Sequence, residues 1–156
     1  MSEFKSERHS NKKTITLNDS IDRVFPLFTP EGEIYWVEGW AYETIYAEKE
    51  TTHKGMVFTT HSPYPNEEKM HWVVTKFNEE SHEAEYTVFS IHVIVVVGVK
   101  CFRAGDNTEA EITYTLTGLT DAGNEAAKAK TDDAAYKKTM DDWQTSINNY
   151  LTKQPA

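Results

Sequence analysis

The chain has 156 residues, 38% of them hydrophobic and 12% aromatic, with 16 basic side chains against 25 acidic ones and a formal net charge of −9. That length predicts one domain, large enough to bury roughly 70% of the surface its unfolded chain exposes. The acidic balance argues against nucleic acid or an anionic membrane as partner, and no run approaches the ~20 apolar residues that span a bilayer, so no membrane insertion is expected.

The opening "MSEFKSERHSNKK" has no apolar stretch of the kind a secretory leader needs, and Cys101 is alone. A lone cysteine excludes an internal disulfide and a cysteine-based zinc site, and together these features predict a cytoplasmic protein. Residues 1–10 read as a flexible polar lead and 11–153 as a single domain. "KKTITL" (12–17) alternates polar and apolar as a first strand. Asn18, Asp19 and Ser20 then offer helix caps for "SIDRVFPLF", which Pro26 disturbs before Pro30-Glu31-Gly32 restarts the chain in a second brief turn. Two short helices joined by an elbow are therefore expected, and between residues 25 and 40 this elbow carries Phe25, Phe28, Tyr35, Trp36 and Trp40. A segment broken by Pro26, Pro30, Gly32 and Gly39 cannot be one element, so something else must cover those rings.

After Gly39 the period changes to two. "YETIYAE" (42–48), "GMVFTTHS" (55–62), "KMHWVVTKF" (69–77), "EAEYTVFSI" (83–91), "VIVVVGVKCF" (93–102) and "EAEITYTLTGL" (109–119) read as strands joined by short polar turns, the pattern of an antiparallel meander. Gly98 inside the most apolar strand suggests a bulge or a strong bend. In "EAEITYTLTGL", Glu109, Glu111, Thr113 and Thr115 are expected to face water on a sheet edge or outer face. From Asp121 to Lys153 there is no proline, and Tyr136, Met140, Trp143, Ile147, Tyr150 and Leu151 form one stripe on a 3.6-residue period. The last helix should cover at least 132–151, with Lys137, Lys138, Asp141, Asp142 and Asn148 facing away. The alanine-rich stretch before it reads as a separate helical piece, with Thr131-Asp132 as a second cap.

Strand, two short helices, a run of antiparallel strands and a long C-terminal helix make an α+β protein: a curved antiparallel sheet gripping that helix. The order, together with "VFPLFTPEGEIYWVEGW", "GMVFTTH", "WVVTKF" and "LTGLTDAGNEAA…MDDWQTSINNYL", resembles the START/Bet v 1-like superfamily (SRPBCC, polyketide cyclase-like) over roughly residues 12–152. The resemblance implies a helix-grip fold with an apolar cavity between sheet and helix. It also implies three kinds of activity: binding of lipids, sterols, hormones or polyketides, cyclisation of aromatic intermediates, or activation of Hsp90. No catalytic motif accompanies it, and one fold hosts many unrelated sites.

Strand alternation groups Trp72 with Val74, Phe58 with Thr60, Tyr86 with Val88, and Tyr114 with Ile112 and Leu116 on the helix-facing side. With Trp36 and Trp40 at the mouth, and Tyr136, Met140 and Trp143 from the helix, Phe58, Trp72, Tyr86 and Tyr114 complete an expected ligand-binding wall of nine residues. Each taken singly reads as ordinary core. The case for a cavity is collective, because tyrosine and tryptophan tips suit a partly wet pocket, typically of about 300–1,000 Å³. His61, His71 and His92 are candidate zinc ligands by type, but the parity that buries Trp72 exposes His61 and His71, so no metal is expected. Glu38, between Trp36 and Trp40, and Glu43 are the acid–base candidates, each also readable as a solvated loop glutamate. Cys101 has no basic neighbour in sequence and reads as packing. No phosphate loop or nucleophile elbow calls for a cofactor, and none is expected.

The expected function is binding of a small apolar or aromatic molecule, lipid-like or polyketide-like, by a monomer or homodimer. The alternatives are a cyclase or dehydratase working in the same cavity and an Hsp90-activator-like interaction module. An interaction module predicts an exposed apolar patch and no sizeable cavity.

Overall fold

The computed structural model describes residues 3–153. β1 (Arg8–Leu17) leads through α1 (Ile21–Val24), a 3₁₀ turn (Phe25–Phe28) and α2 (Pro30–Glu33) to β2 (Glu43–Tyr46). β3 (Val57–His61), β4 (Lys69–Asn78), β5 (Glu83–Phe89), β6 (Val93–Ala104) and β7 (Asn107–Gly118) follow, then α3 (Asp121–Thr131) and α4 (Asp133–Lys153). The strands form one seven-stranded antiparallel sheet in the order β1-β7-β6-β5-β4-β3-β2. From β2 to β7 each strand pairs with the next, and only the elbow departs from that rule. It carries the chain from one sheet edge to the other, which places its aromatic side chains across the sheet. This is the expected α+β architecture, a sheet holding a long C-terminal helix.

The helix is held in two ways. Its stripe is buried at Tyr136, Met140, Ile147 and Leu151, and half-buried at Trp143 and Tyr150. Its amide side chains also serve the open edge of β1. Gln144 Oε1 accepts from the Thr16 N–H at 2.8 Å, and Asn148 accepts from the Asn18 N–H at 2.8 Å while donating to the Thr16 carbonyl at 3.1 Å. Asn148, expected to face away, thus covers an edge that would otherwise expose unpaired backbone. The Tyr136 hydroxyl donates to the Ile112 carbonyl at 2.6 Å within the core. Tyr136→Phe is expected to cost about 1–2 kcal/mol in urea unfolding, the worth of a buried hydrogen bond whose acceptor is left behind.

Three features differ from the sequence reading. β1 begins at Arg8, so Arg8, His9 and Ser10 are strand and pair with Thr117, Leu116 and Thr115. This part of β1 has no buried side chain and so no apolar alternation to reveal it. The register runs unbroken past Gly98, which pairs with Glu85 and Thr113; the irregularities fall instead at Thr75 in β4 and Ile45 in β2. β7 is an interior strand, and the edges are β1 and β2. The α3–α4 break, by contrast, falls at the expected Thr131-Asp132 cap: Asp132 is extended at ψ 134° and its carboxylate accepts from the Ala135 N–H at 3.1 Å. Cys101 is buried in the core, and burial pushes its thiol up to about 12, which leaves it unreactive packing at neutral pH.

Candidate functional site

The elbow is a set of short pieces bonded to one another. Thr29 caps α2: its hydroxyl accepts from the Gly32 N–H at 3.0 Å and donates to the Pro26 carbonyl at 2.6 Å. Pro30 takes the first helical position, where a missing N–H costs nothing. Past α2, the Trp36 indole donates to the Leu27 carbonyl at 2.7 Å and the Trp40 indole to the Pro30 carbonyl at 2.9 Å. Gly39, at φ +74°, supplies the left-handed turn that swings Trp40 round onto the sheet. There it meets Trp72 edge-on at 5.8 Å, and Trp72 in turn stacks on Phe58 at 5.3 Å.

Between elbow, sheet and α4 lies a cavity of about 170 Å³. Six of the nine expected residues line it: Trp40, Phe58, Trp72, Tyr86, Tyr114 and Trp143. The other three do not. Trp36 packs behind the wall against Phe28 and Trp143, at 6.1 and 5.4 Å, rather than standing at the mouth. Its indole N–H is used within the elbow, which turns the ring inward. Met140 and Tyr136 lie deeper in the core, one and two turns of α4 before Trp143. The remaining wall comes from Val97 and Val99 of β6 and from Phe28, Pro30, Glu33 and Val37 of the elbow. Alternation in β6 points to the two valines. No period marks the elbow residues.

No family model matches the chain, and no curated protein sequence matches it. Solved structures do. An uncharacterized protein from Rhizobium leguminosarum superposes with a TM-score of 0.67 at 12% identity, covering 96% of this chain and 98% of that one. Ara h 8.0201 gives 0.68 at 13% identity, covering 94% and 100%. Norcoclaurine synthase from Thalictrum flavum, in complex with dopamine and hydroxybenzaldehyde, gives 0.65 at 9% identity, covering 97% and 91%. The chain has the Bet v 1-like helix-grip fold. At these identities the likeness establishes the fold, and the chemistry of the site rests on its own residues.

Three polar tips of the helix-grip cavity, those of Trp40, Trp72 and Tyr86, are held by protein partners. Trp72 donates to Thr60 Oγ1 at 2.8 Å and the Tyr86 hydroxyl to the Phe28 carbonyl at 2.7 Å. Among the described residues, no hydrogen bond reaches the Glu33 carboxyl or the Tyr114 hydroxyl, and both line the cavity. Burial raises the Glu33 carboxyl to about 8, so it is mostly protonated at neutral pH, although part of its surface still meets solvent. The Tyr114 hydroxyl is pushed up by burial first, then by Tyr136 and Glu33.

Glu33 is the functional candidate that sequence reasoning missed. Glu38 and Glu43 are exposed, and Glu43 pairs with Lys69 at 3.2 Å on the surface. His61 and His71 face solvent opposite Lys69 and Thr59, and His92 bonds to Thr120 Oγ1 at 2.8 Å. Among the described residues, no cluster of three histidine, cysteine or acidic side chains is arranged to hold a metal, and no helix is long and apolar enough to cross a membrane. A larger hollow, about 420 Å³, lies outside the elbow, lined by Phe25 and Phe77, which stack on each other, and by Glu31, Thr52, Glu79 and His82. Two of its polar groups are engaged: Glu31 accepts from the Thr52 N–H and hydroxyl at 3.0 and 2.6 Å, and His82 faces Asp22 at 3.6 Å. The inner cavity is the stronger candidate.

Proposed function

We propose that this protein binds a small apolar or aromatic molecule, one ring in size, between the sheet, the elbow and α4. The observation that carries the reading is the aromatic-walled cavity of about 170 Å³. A dry apolar cavity of about 150 Å³ is enough to hold benzene, whereas drug-sized ligands occupy about 300–1,000 Å³. An extended lipid or polyketide chain, included in the sequence reading, is larger than this space. Norcoclaurine synthase, solved with dopamine and hydroxybenzaldehyde, supports by analogy small aromatic ligands in a helix-grip fold.

Toluene, titrated while tryptophan fluorescence is followed, should bind saturably, because Trp40, Trp72 and Trp143 line the space. Tyr114→Trp should fill part of it, weakening toluene binding about tenfold at a cost below ~1.5 kcal/mol in stability, since open space accepts volume that a packed core refuses. Destabilisation by about 1–3 kcal/mol, with no toluene binding by either protein, is the signature of a solid core and overturns the reading.

A second reading, acid–base catalysis in the same cavity, is favoured by Glu33. A carboxyl that titrates near neutral pH is matched to general acid or base work. Chemical turnover of a bound ligand, abolished by Glu33→Gln, distinguishes it from binding alone.

A further inference from the structure

Trp40, Trp72 and Tyr86 present their rings to the cavity while their polar tips are bonded to the protein. Glu33 and Tyr114 present polar tips that, among the described residues, have no protein partner. A half-buried carboxyl with no protein donor has only water to satisfy it, and a wall built only for packing would carry an apolar side chain at that place. Building on the single-ring reading of the cavity, we propose that its ligand is an aromatic amine whose ammonium group pairs with the Glu33 carboxylate.

Three features select a cation over an anion or a neutral molecule. No lysine, arginine or histidine lines the cavity, so a ligand carboxylate or phosphate would meet no countercharge. The wall carries the rings of Trp40, Trp72 and Trp143, and indole faces attract cations better than any other side-chain ring. The charged and titratable groups around Glu33 are themselves acidic or phenolic. Glu31 shares α2 and acts with Glu33 on Tyr86 of β5, while Tyr114 of β7 lies against Tyr136 of α4 at 5.2 Å. The local potential is therefore negative once Glu33 ionises.

The pairing carries a proton signature. Glu33 holds a proton at pH 7 in the free protein, because burial raises it to about 8. An arriving ammonium favours the carboxylate and lowers that affinity. Binding should release close to one proton per ligand at pH 7 and about half a proton at pH 8, and affinity should rise over that interval.

Calorimetric titration of the full chain with benzylamine, benzyl alcohol and toluene, in two buffers of different ionisation enthalpy, reads both properties. Benzylamine is expected to bind at least about tenfold more tightly than benzyl alcohol at pH 8, the scale of a charge-assisted hydrogen bond, with buffer-dependent heat that toluene lacks. Glu33→Gln should abolish the preference and the proton release, with a cooperative urea transition showing that the variant is folded. Toluene binding without preference for benzylamine, or benzylamine binding without proton release, overturns the amine and leaves the cavity reading standing. Failure of all three compounds to bind overturns the cavity reading, and the amine with it.

Discussion

Glu33→Gln is expected to stabilise the ligand-free protein by about 3–5 kcal/mol at pH 9 and by less than about 1 kcal/mol at pH 5. The sign follows from proton linkage. The Glu33 carboxyl is raised from 4.5 to about 8 by burial. Between those values the native state keeps a proton that the unfolded chain has released, so stability falls as pH rises through the interval and levels off above it. At about 1.4 kcal/mol per unit the full penalty is several kcal/mol, moderated by the solvent that reaches the cavity. Glutamine has no charge to bury and escapes the fall. Urea midpoints of the two proteins at pH 5, 7 and 9 check this. Parallel curves would mean that Glu33 is hydrated and ionises normally, and its special place in the cavity would be lost.

Gly32→Ala is expected to act in the opposite direction, costing more than about 4 kcal/mol or preventing folding. A Cβ at Gly32 would lie 1.9 Å from the Pro26 carbonyl oxygen and 2.7 Å from Leu27 Cα. Both are backbone atoms of the 3₁₀ turn, which no side-chain rotation can move. The contact is where α2 folds back on the preceding turn, and it sets the direction from which Glu33 and Trp40 enter the cavity. Gly39 gives the contrast. It has a positive φ of +74° but nothing within 4 Å of a Cβ, so Gly39→Ala should cost only about 1–2 kcal/mol, the strain of a left-handed alanine. Thermal unfolding of both variants measures the difference. Equal costs would show that the elbow is not closed on itself at Gly32.

Where an element has a period, sequence reveals which way its side chains point. Alternation placed Trp72, Phe58, Tyr86 and Tyr114 on the helix-facing side, and the 3.6-residue stripe placed Tyr136, Met140, Ile147 and Leu151 in the core. The elbow has no period to read. Its helical pieces are four residues each, so nothing in the order of Glu31, Glu33 and Glu38 tells which carboxyl turns inward, nor why Trp40 lines the cavity while Trp36 backs it. The polar start of β1 and the docking of Asn148 were hidden for a related reason. Both serve backbone hydrogen bonds rather than apolar burial, and hydrophobic patterning is silent about those. Cavity volume depends on how far the elbow stands off the sheet, which no composition encodes.

The central claim is that the space between sheet, elbow and α4 is a binding site. The most direct measurement is an NMR titration of the ¹⁵N-labelled protein with toluene, following the indole N–H signals. Saturable shifts at Trp40, Trp72 and Trp143, larger than at Trp36 behind the wall, are the expected result. Four indole signals that stay unmoved up to the solubility limit of toluene would contradict it.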